Sequence, residues 1–149
     1  MLYTEIQKTI ANIDHNAISN ERKNVLQPLI DYVQEKANTN KEIRLNFICT
    51  HNSRRSHLSQ VWAQTMADKY GIKNVSSYSG GTEATALFIA AKDSLISAGF
   101  QVQKLSETEN PVYGIKYSEN SLPIIGFSKT YDDVFNPTSE FAAILTCSQ

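Results

Sequence analysis

Cys49, Arg55 and Ser56 have the types and the spacing of a site that attacks a tetrahedral oxyanion. They belong to the run CTHNSRRS, a Cys-x5-Arg-Ser pattern over residues 49–56. Phosphate or arsenate would bind the backbone N–H groups of such a loop and the N-terminus of a following helix. The same positive potential favours a thiolate at Cys49, which we expect to be the nucleophile. The planar guanidinium of Arg55 matches two anion oxygens, and the Ser56 hydroxyl can hydrogen-bond the sulfur.

The residues between the cysteine and the arginine are expected to bind the anion through their backbone. Asn52 tolerates the left-handed conformation that makes successive N–H groups converge. His51 could narrow the loop or cap its mouth, or be an exposed histidine without a role, and Arg54 could add charge or be a solvated side chain. The alternative interpretation of the pattern is that Cys49 is only a buried thiol at the end of a strand and Arg55 only a solvated helix residue. The predicted oxyanion-binding residues are Thr50, His51, Asn52, Ser53 and Arg54.

The elements around this loop are those of a parallel α/β fold. Apolar and polar residues alternate over 43–47, which predicts a strand that leads into Cys49. Strand, helix, strand, helix in succession indicates parallel strand order. The predicted elements are a strand over 43–48, a helix over 56–70 ending at Gly71, a strand over 74–79 and a helix over 84–97 ending at Gly99.

The last part of the chain predicts a hairpin and a further strand. Strands over 112–117 and 122–127 flank the turn 118–121, which could be a lid or a surface turn. Pro123 restricts the second of these strands to the edge of a sheet. A continuous apolar run over 141–146 predicts a buried parallel strand.

An N-terminal helical extension is predicted to precede the α/β domain. Residues 3–13 carry an apolar stripe at helical spacing, and Ser19 is a candidate cap for a second helix that ends near residue 36. Pro28 lies inside that second pattern and predicts a kink or a break. These helices could pack on the α/β unit, form a dimer contact or shape the entrance to the site. The predicted domains are the extension, 1–40, and the α/β domain, 41–149.

The composition is that of an ordinary one-domain globular protein, with 149 residues, 41% of them hydrophobic. A net charge of -1 gives no field that would attract nucleic acid or an anionic membrane. No apolar run approaches a membrane span and the polar N-terminus has no signal-peptide core, so we expect a cytoplasmic protein. We expect no metal and no other cofactor, because Arg54 and Arg55 would repel a cation from Cys49, His51 and His57.

The run CTHNSRRS, with NFI before it and HLSQVWAQ after it, resembles the phosphate-binding loop of low-molecular-weight protein tyrosine phosphatases and of the related thioredoxin-coupled arsenate reductases. SYSGGTEA is similar to the second strand and the Ser-Ala-Gly-Thr turn of that superfamily, and FAAILTCSQ to a later strand that ends in a redox cysteine. The resemblance covers about two-thirds of the chain, from Ile43 onward. It implies a flavodoxin-like, four-stranded parallel sheet with helices on both faces. It also implies that Cys49 attacks while Arg55 and the loop amides hold the anion.

Two departures from the family pattern bear on the reaction. Arg54 stands where a second loop cysteine is common, so a disulfide inside the loop is excluded. The aspartate that protonates the leaving group in the phosphatases would follow the last predicted strand, and we expect that the chain is truncated before it. Asp132 and Asp133 precede that strand and are expected to have turn or cap roles instead.

Three functions remain open. The first is hydrolysis of a phosphotyrosine protein or a small phosphomonoester through a cysteinyl phosphate. The second is arsenate reduction, with Cys147 as a resolving thiol for Cys49 and thioredoxin as a partner, although the third cysteine of that relay is absent. Cys147 could equally be a small residue at a strand end. The third is a non-catalytic module that binds an oxyanion or a partner; the oligomeric state stays open.

Overall fold

A computed structural model describes residues 1–147 of the chain, so the last two residues of the predicted α/β domain lie outside the described part. The α-helices are α1 Thr4–Ala11, α2 Asn20–Asn38, α3 Arg55–Lys69 and α4 Ile89–Ala98, with one 3₁₀ turn at His15–Ala17. The strands are β1 Ile43–Cys49, β2 Val75–Gly81, β3 Gln101–Lys104, β4 Tyr113–Lys116, β5 Ile124–Gly126 and β6 Ala142–Leu145. Within residues 1–147, none of these helices is long and apolar enough to cross a membrane.

The α/β class and the parallel order of the strands around Cys49 are confirmed. β1 lies between β2 and β6 and pairs in parallel with both, so the described residues form a three-stranded parallel sheet. On the β2 side the register runs from Ile43 opposite Val75 to Cys49 opposite Gly81. The C-terminal ends of β1 and β2 therefore meet at one edge of the sheet, where Cys49 begins the loop.

The outer edge of β2 is closed by side-chain amides of α3. Gln64 accepts the Ser77 N–H through Oε1 and donates through Nε2 to the Val75 carbonyl, both at 2.9 Å. Gln60 donates to the Ser77 carbonyl at 3.1 Å. One amide side chain thus takes the hydrogen bonds that the backbone of a neighbouring strand would make, which blocks this edge against pairing.

A second, antiparallel sheet in the order β3-β4-β5 contains the predicted hairpin. Pro123 immediately precedes β5, which is an edge strand as predicted. β3 was not predicted, because the sequence QVQK is short, mostly polar and mostly exposed. It forms because it follows the Gly99 turn directly and pairs along the whole of β4.

Both helices of the N-terminal extension contact the α/β unit. Ile6 and Ile10 of α1 are buried in the main apolar cluster together with Leu95 and Phe100. Leu29, Tyr32 and Val33 of α2 pack against the buried face of β1. The Ser19 hydroxyl accepts the Arg22 N–H at 3.1 Å, which confirms the predicted cap. α2 continues through Pro28, so of the two predicted effects of this proline a break is excluded.

Two predicted elements differ from the structure. The helix predicted from residue 84 begins at Ile89, because the N–H groups of Thr85 and Phe88 bond to Ser128 and Ser53 instead of entering a helix. The strand predicted over 141–146 is parallel but not buried, and Leu145 is 74% exposed. Within the described residues β6 pairs with β1 alone, which leaves its other edge open.

Candidate active site

Residues 49–56, here called the anion loop, connect the buried end of β1 to the first turn of α3. Cys49 is 6% exposed, and Asn52 and Ser56 are fully buried. Asn52 has φ +47°, the left-handed conformation expected for it. This conformation bends the backbone around the space above Cys49, where successive peptide groups can face a common centre.

The carbonyl groups of the anion loop point outward and accept hydrogen bonds from the surrounding protein. Most donors lie in residues 82–88, here called the outer segment. The negative ends of the loop peptides are thereby directed away from the space above the sulfur. The distances from donor to carbonyl oxygen are 2.8 to 3.2 Å. The donors are Thr82 N–H to the Cys49 carbonyl, Glu83 N–H to the Thr50 carbonyl, the Thr85 and Ser128 hydroxyls to the His51 carbonyl, His57 Nε2 to the Asn52 carbonyl, and Phe88 N–H to the Ser53 carbonyl.

Three backbone N–H groups of the loop, those of Asn52, Ser53 and Ser56, face inward toward the Cys49 sulfur. Burial by itself raises the pKa of this thiol, but hydrogen bonds from the Ser56 hydroxyl and from the backbone N–H groups of Ser53, Ser56 and Asn52 outweigh it. The net pKa of Cys49 therefore lies below its ordinary value, which increases the thiolate fraction near neutral pH. The same N–H groups are available to a tetrahedral anion.

Ser56 and Asn52 support the sulfur from inside the protein. The Ser56 hydroxyl lies 3.1 Å from the Cys49 sulfur, and Asn52 Nδ2 donates to that hydroxyl oxygen at 2.7 Å. Asn52 Oδ1 accepts the backbone N–H of Lys129 at 3.0 Å. When Cys49 is a thiolate the sulfur can only accept, so the Ser56 hydroxyl then donates to it while accepting from Asn52.

A cavity of about 650 Å³ opens above the sulfur. Arg55 is exposed at the N-terminus of α3, and among the described residues its guanidinium forms no ion pair with a carboxylate. It is therefore available to a bound anion. Of the predicted site residues, Asn52 and Ser56 do not line the cavity but lie behind it. The lining residues are Cys49, Thr50, His51, Ser53, Arg54, Arg55 and Thr85.

The mouth of this cavity carries two side-chain contacts. His51 Nδ1 lies 2.6 Å from a Glu83 carboxylate oxygen, and both side chains are more than half exposed. The Arg54 guanidinium lies over the Phe88 ring, 4.7 Å from its centroid. Both contacts join the anion loop to the outer segment, so His51 and Arg54 help to hold that segment in place.

Cys147 lies beside the anion loop, across the β1–β6 pairing. Thr146 N–H donates to the Ile48 carbonyl at 2.8 Å, which aligns the end of β6 with the start of the loop. The Cys147 sulfur is 3.8 Å from the hydroxyl of Thr50, the residue after Cys49. Cys147 is partly exposed, so a second thiol lies at the rim of the site.

Three buried polar side chains behind the loop were not predicted from the sequence: His57, Ser79 and Lys129, here called the support network. Lys129 is 2% exposed and His57 is 1% exposed. Burial, followed by the nearby Lys129 charge, lowers the pKa of His57 to about 3. The only sequence signal for His57 is its place four residues before Val61, on the buried face of α3. Nothing in the sequence indicated that Lys129 is buried, because lysine is ordinarily exposed.

Asp133 has the turn role expected for it, since its carboxylate accepts a hydrogen bond from the Phe135 N–H at 2.9 Å.

A second cavity, of about 400 Å³ beside β2, is lined by no thiol or charged side chain, so it offers no nucleophile and no charged group for an anion. Within residues 1–147, no three His, Cys, Asp or Glu side chains converge as metal ligands would.

The geometry provides a buried thiol of lowered pKa, inward N–H groups, a helix N-terminus and a guanidinium around one cavity. This combination can bind a tetrahedral anion and attack its central atom with sulfur. The chain was compared with protein-family models, curated proteins and solved structures, and none of them matches it.

Proposed function

We propose that the chain is a hydrolase similar to the low-molecular-weight protein tyrosine phosphatases, acting on phosphomonoesters through a cysteinyl phosphate. The observation that carries the proposal is the Cys49 thiol at the centre of inward N–H groups, with its pKa lowered by hydrogen bonds. The proposal includes the finer fold of that superfamily, a flavodoxin-like parallel sheet of four strands. A phosphotyrosine protein or a small phosphomonoester would be the substrate.

The first step is attack of the Cys49 thiolate on phosphorus. The S–P bond forms, the bond to the leaving oxygen breaks, and that oxygen takes a proton from a general acid or from water. The loop N–H groups and Arg55 stabilise the equatorial oxygens, which carry the charge of the transition state. The Ser56 hydroxyl, 3.1 Å from the sulfur, stabilises the thiolate when it leaves again.

The second step is attack of water on the cysteinyl phosphate. The P–O bond forms, the P–S bond breaks and the sulfur leaves as a thiolate. The water gives a proton to the group that protonated the leaving oxygen, or to solvent, which regenerates the starting state and releases inorganic phosphate. No metal is needed, because the positive groups of the loop perform the electrostatic role.

Hydrolysis of p-nitrophenyl phosphate tests the proposal. We expect turnover in the native chain, no turnover in Cys49→Ser, and retained turnover in Cys147→Ser. Binding of inorganic phosphate without turnover would instead support a non-catalytic oxyanion-binding module.

Arsenate reduction is the second candidate, and the position of Cys147 at the rim of the site favours it. The Cys49 thiolate would attack arsenic and form an S–As(V) bond, while one As–O bond breaks and that oxygen, protonated from solvent, leaves as water. The Cys147 thiolate would then attack the Cys49 sulfur, so that the As–S electron pair reduces arsenic to As(III) and a disulfide forms. Thioredoxin would reduce that disulfide. Arsenate-dependent loss of two thiols that disappears in Cys147→Ser would support this function over the first.

A further inference from the structure

His57 is placed to control the conformation of the anion loop from its buried side. Its Nε2 lies 2.8 Å from the carbonyl oxygen of Asn52, the residue with the left-handed backbone. A carbonyl oxygen can only accept, so the hydrogen of the imidazole is on Nε2. This bond holds the Asn52 carbonyl away from the anion cavity.

The other ring nitrogen faces a hydroxyl that can donate to it. His57 Nδ1 lies 3.3 Å from the Ser79 hydroxyl, which is also 3.3 Å from Lys129 Nζ. An ammonium group can only donate, so it occupies a lone pair of the Ser79 oxygen and leaves the hydroxyl hydrogen for His57 Nδ1. A neutral imidazole with its hydrogen on Nε2 satisfies all of these contacts at once.

Lys129 is held in this place without a carboxylate within ion-pair distance in the described part of the chain. Its Nζ also donates to the Phe127 carbonyl at 3.2 Å and lies over the Phe127 and Phe135 rings, 4.6 and 5.7 Å from their centroids. Asp133 is the acidic group that acts on it from a distance. A cation so enclosed repels a second proton on the neighbouring imidazole.

We propose that His57 is a positioning residue of the anion loop: as a neutral Nε2–H donor, kept neutral by its burial and by Lys129, it fixes the Asn52 carbonyl outward and so keeps the loop N–H groups on the anion. The inference rests on the proposed function in one respect, namely that the anion loop binds a phosphoryl group. It goes beyond that function because neither His57 nor Lys129 touches the cavity.

A matched pair of variants tests the role of the donor. In His57→Leu the donor is lost, and we expect inorganic phosphate to bind about tenfold more weakly or worse. The midpoint of the pH dependence of Cys49 alkylation by iodoacetamide should also rise. In His57→Gln an amide N–H can reach the same carbonyl, so phosphate affinity should stay within about threefold of the native chain. Equal loss in both variants, or loss in neither, would overturn the proposal.

Nitrogen-15 NMR of the native chain tests the protonation state without any variant. We expect the signals of a neutral His57 with the hydrogen on Nε2 throughout pH 5 to 8. In Lys129→Met the imidazole should titrate at a higher pH, whereas Lys73→Met, an exposed lysine, should leave it unchanged. An Nδ1–H tautomer or an imidazolium at pH 6 in the native chain would refute the proposal. Alkylation and NMR need no turnover, so an inactive or non-binding native chain would refute the proposed function and still leave this inference tested.

Discussion

The Cys49 sulfur and the Ser56 hydroxyl lie 3.1 Å apart, across the loop that connects the end of β1 to the start of α3. The hydroxyl also accepts from Asn52 Nδ2, and it can donate its hydrogen to the sulfur when Cys49 is a thiolate. The two residues are seven positions apart in the sequence, and their contact closes the anion loop into a ring.

Removing this hydroxyl should make the thiol less acidic. In Ser56→Ala the thiolate loses a hydrogen bond, and bonds to charged groups contribute about 1.5–3 kcal/mol. We therefore expect the pKa of Cys49 to rise by about one unit or more. The pH dependence of iodoacetamide alkylation measures it, with Ser59→Ala on the same helix as the control. An unchanged profile in Ser56→Ala would show that the hydroxyl does not stabilise the thiolate.

Replacing Arg55 by lysine should reduce turnover of p-nitrophenyl phosphate by about 100-fold or more, because losing one transition-state donor typically costs about 3 kcal/mol. Lysine keeps the charge but not the planar pair of donors. The control is Arg22→Lys, an exposed position of α2, which should leave kcat/KM unchanged. Near-native activity of Arg55→Lys would contradict the assignment of the anion loop.

Gly81 permits the close approach of the anion loop to the end of β2. A Cβ at this position would lie 2.7 Å from the Asn52 nitrogen and 2.7 Å from the Thr50 oxygen, so the loop would have to move. We expect Gly81→Ala to lose most phosphate binding and turnover. In Gly114→Ala the nearest atom is a flexible end of Leu105 at 3.3 Å, so activity should be retained. Phosphate titration of both variants provides the comparison.

The stability of the fold should fall in mild acid because of His57. Its folded pKa is about 3, while an unfolded histidine has a pKa of about 6.5. Between these values the unfolded chain binds more protons, so the free energy of unfolding decreases as pH falls, by up to about 1.4 kcal/mol per unit. Urea unfolding between pH 7 and 5, above most carboxylate titrations, measures the slope. His57→Gln should lose this contribution and His15→Gln should keep it.

Gln64 stabilises the edge of β2, so Gln64→Leu should leave the Val75 carbonyl and the Ser77 N–H without their partner. We expect the free energy of unfolding to fall by about 2 kcal/mol and hydrogen exchange at the Ser77 amide to accelerate. Gln34→Leu removes only an exposed contact within α2 and serves as the control. Unchanged exchange at Ser77 would show that water replaces the amide without cost.

The parts of the fold that local sequence determines could be predicted. β1 and α3 follow from short-range periodicity, and Gly71 and Gly99, both with positive φ, end their helices as expected. The start of α4 could not be predicted, because contacts with the anion loop take the N–H groups of Thr85 and Phe88. The exposure of β6 depends on its place at the edge of the sheet, which an apolar run does not reveal.

The candidate site also has one part that the local sequence predicts and one part that it does not. Residues 49–56 form a contiguous pattern whose chemistry follows from residue type and spacing. The support network joins residues 57, 79 and 129, which no local pattern links. A buried lysine and a buried histidine also oppose the usual preference of these residues for the surface, so only the tertiary contacts identify them.

The outward carbonyls of the anion loop mean that its eight residues are not a portable motif. Their shape depends on donors in the outer segment, on Ser128 and on His57. Grafted onto the strand–helix junction of an unrelated scaffold, CTHNSRRS would satisfy its carbonyls with water or with its own N–H groups, and the anion would lose those donors. A design that transfers this chemistry to another scaffold must therefore include the outer segment, Ser128 and His57 together with the anion loop.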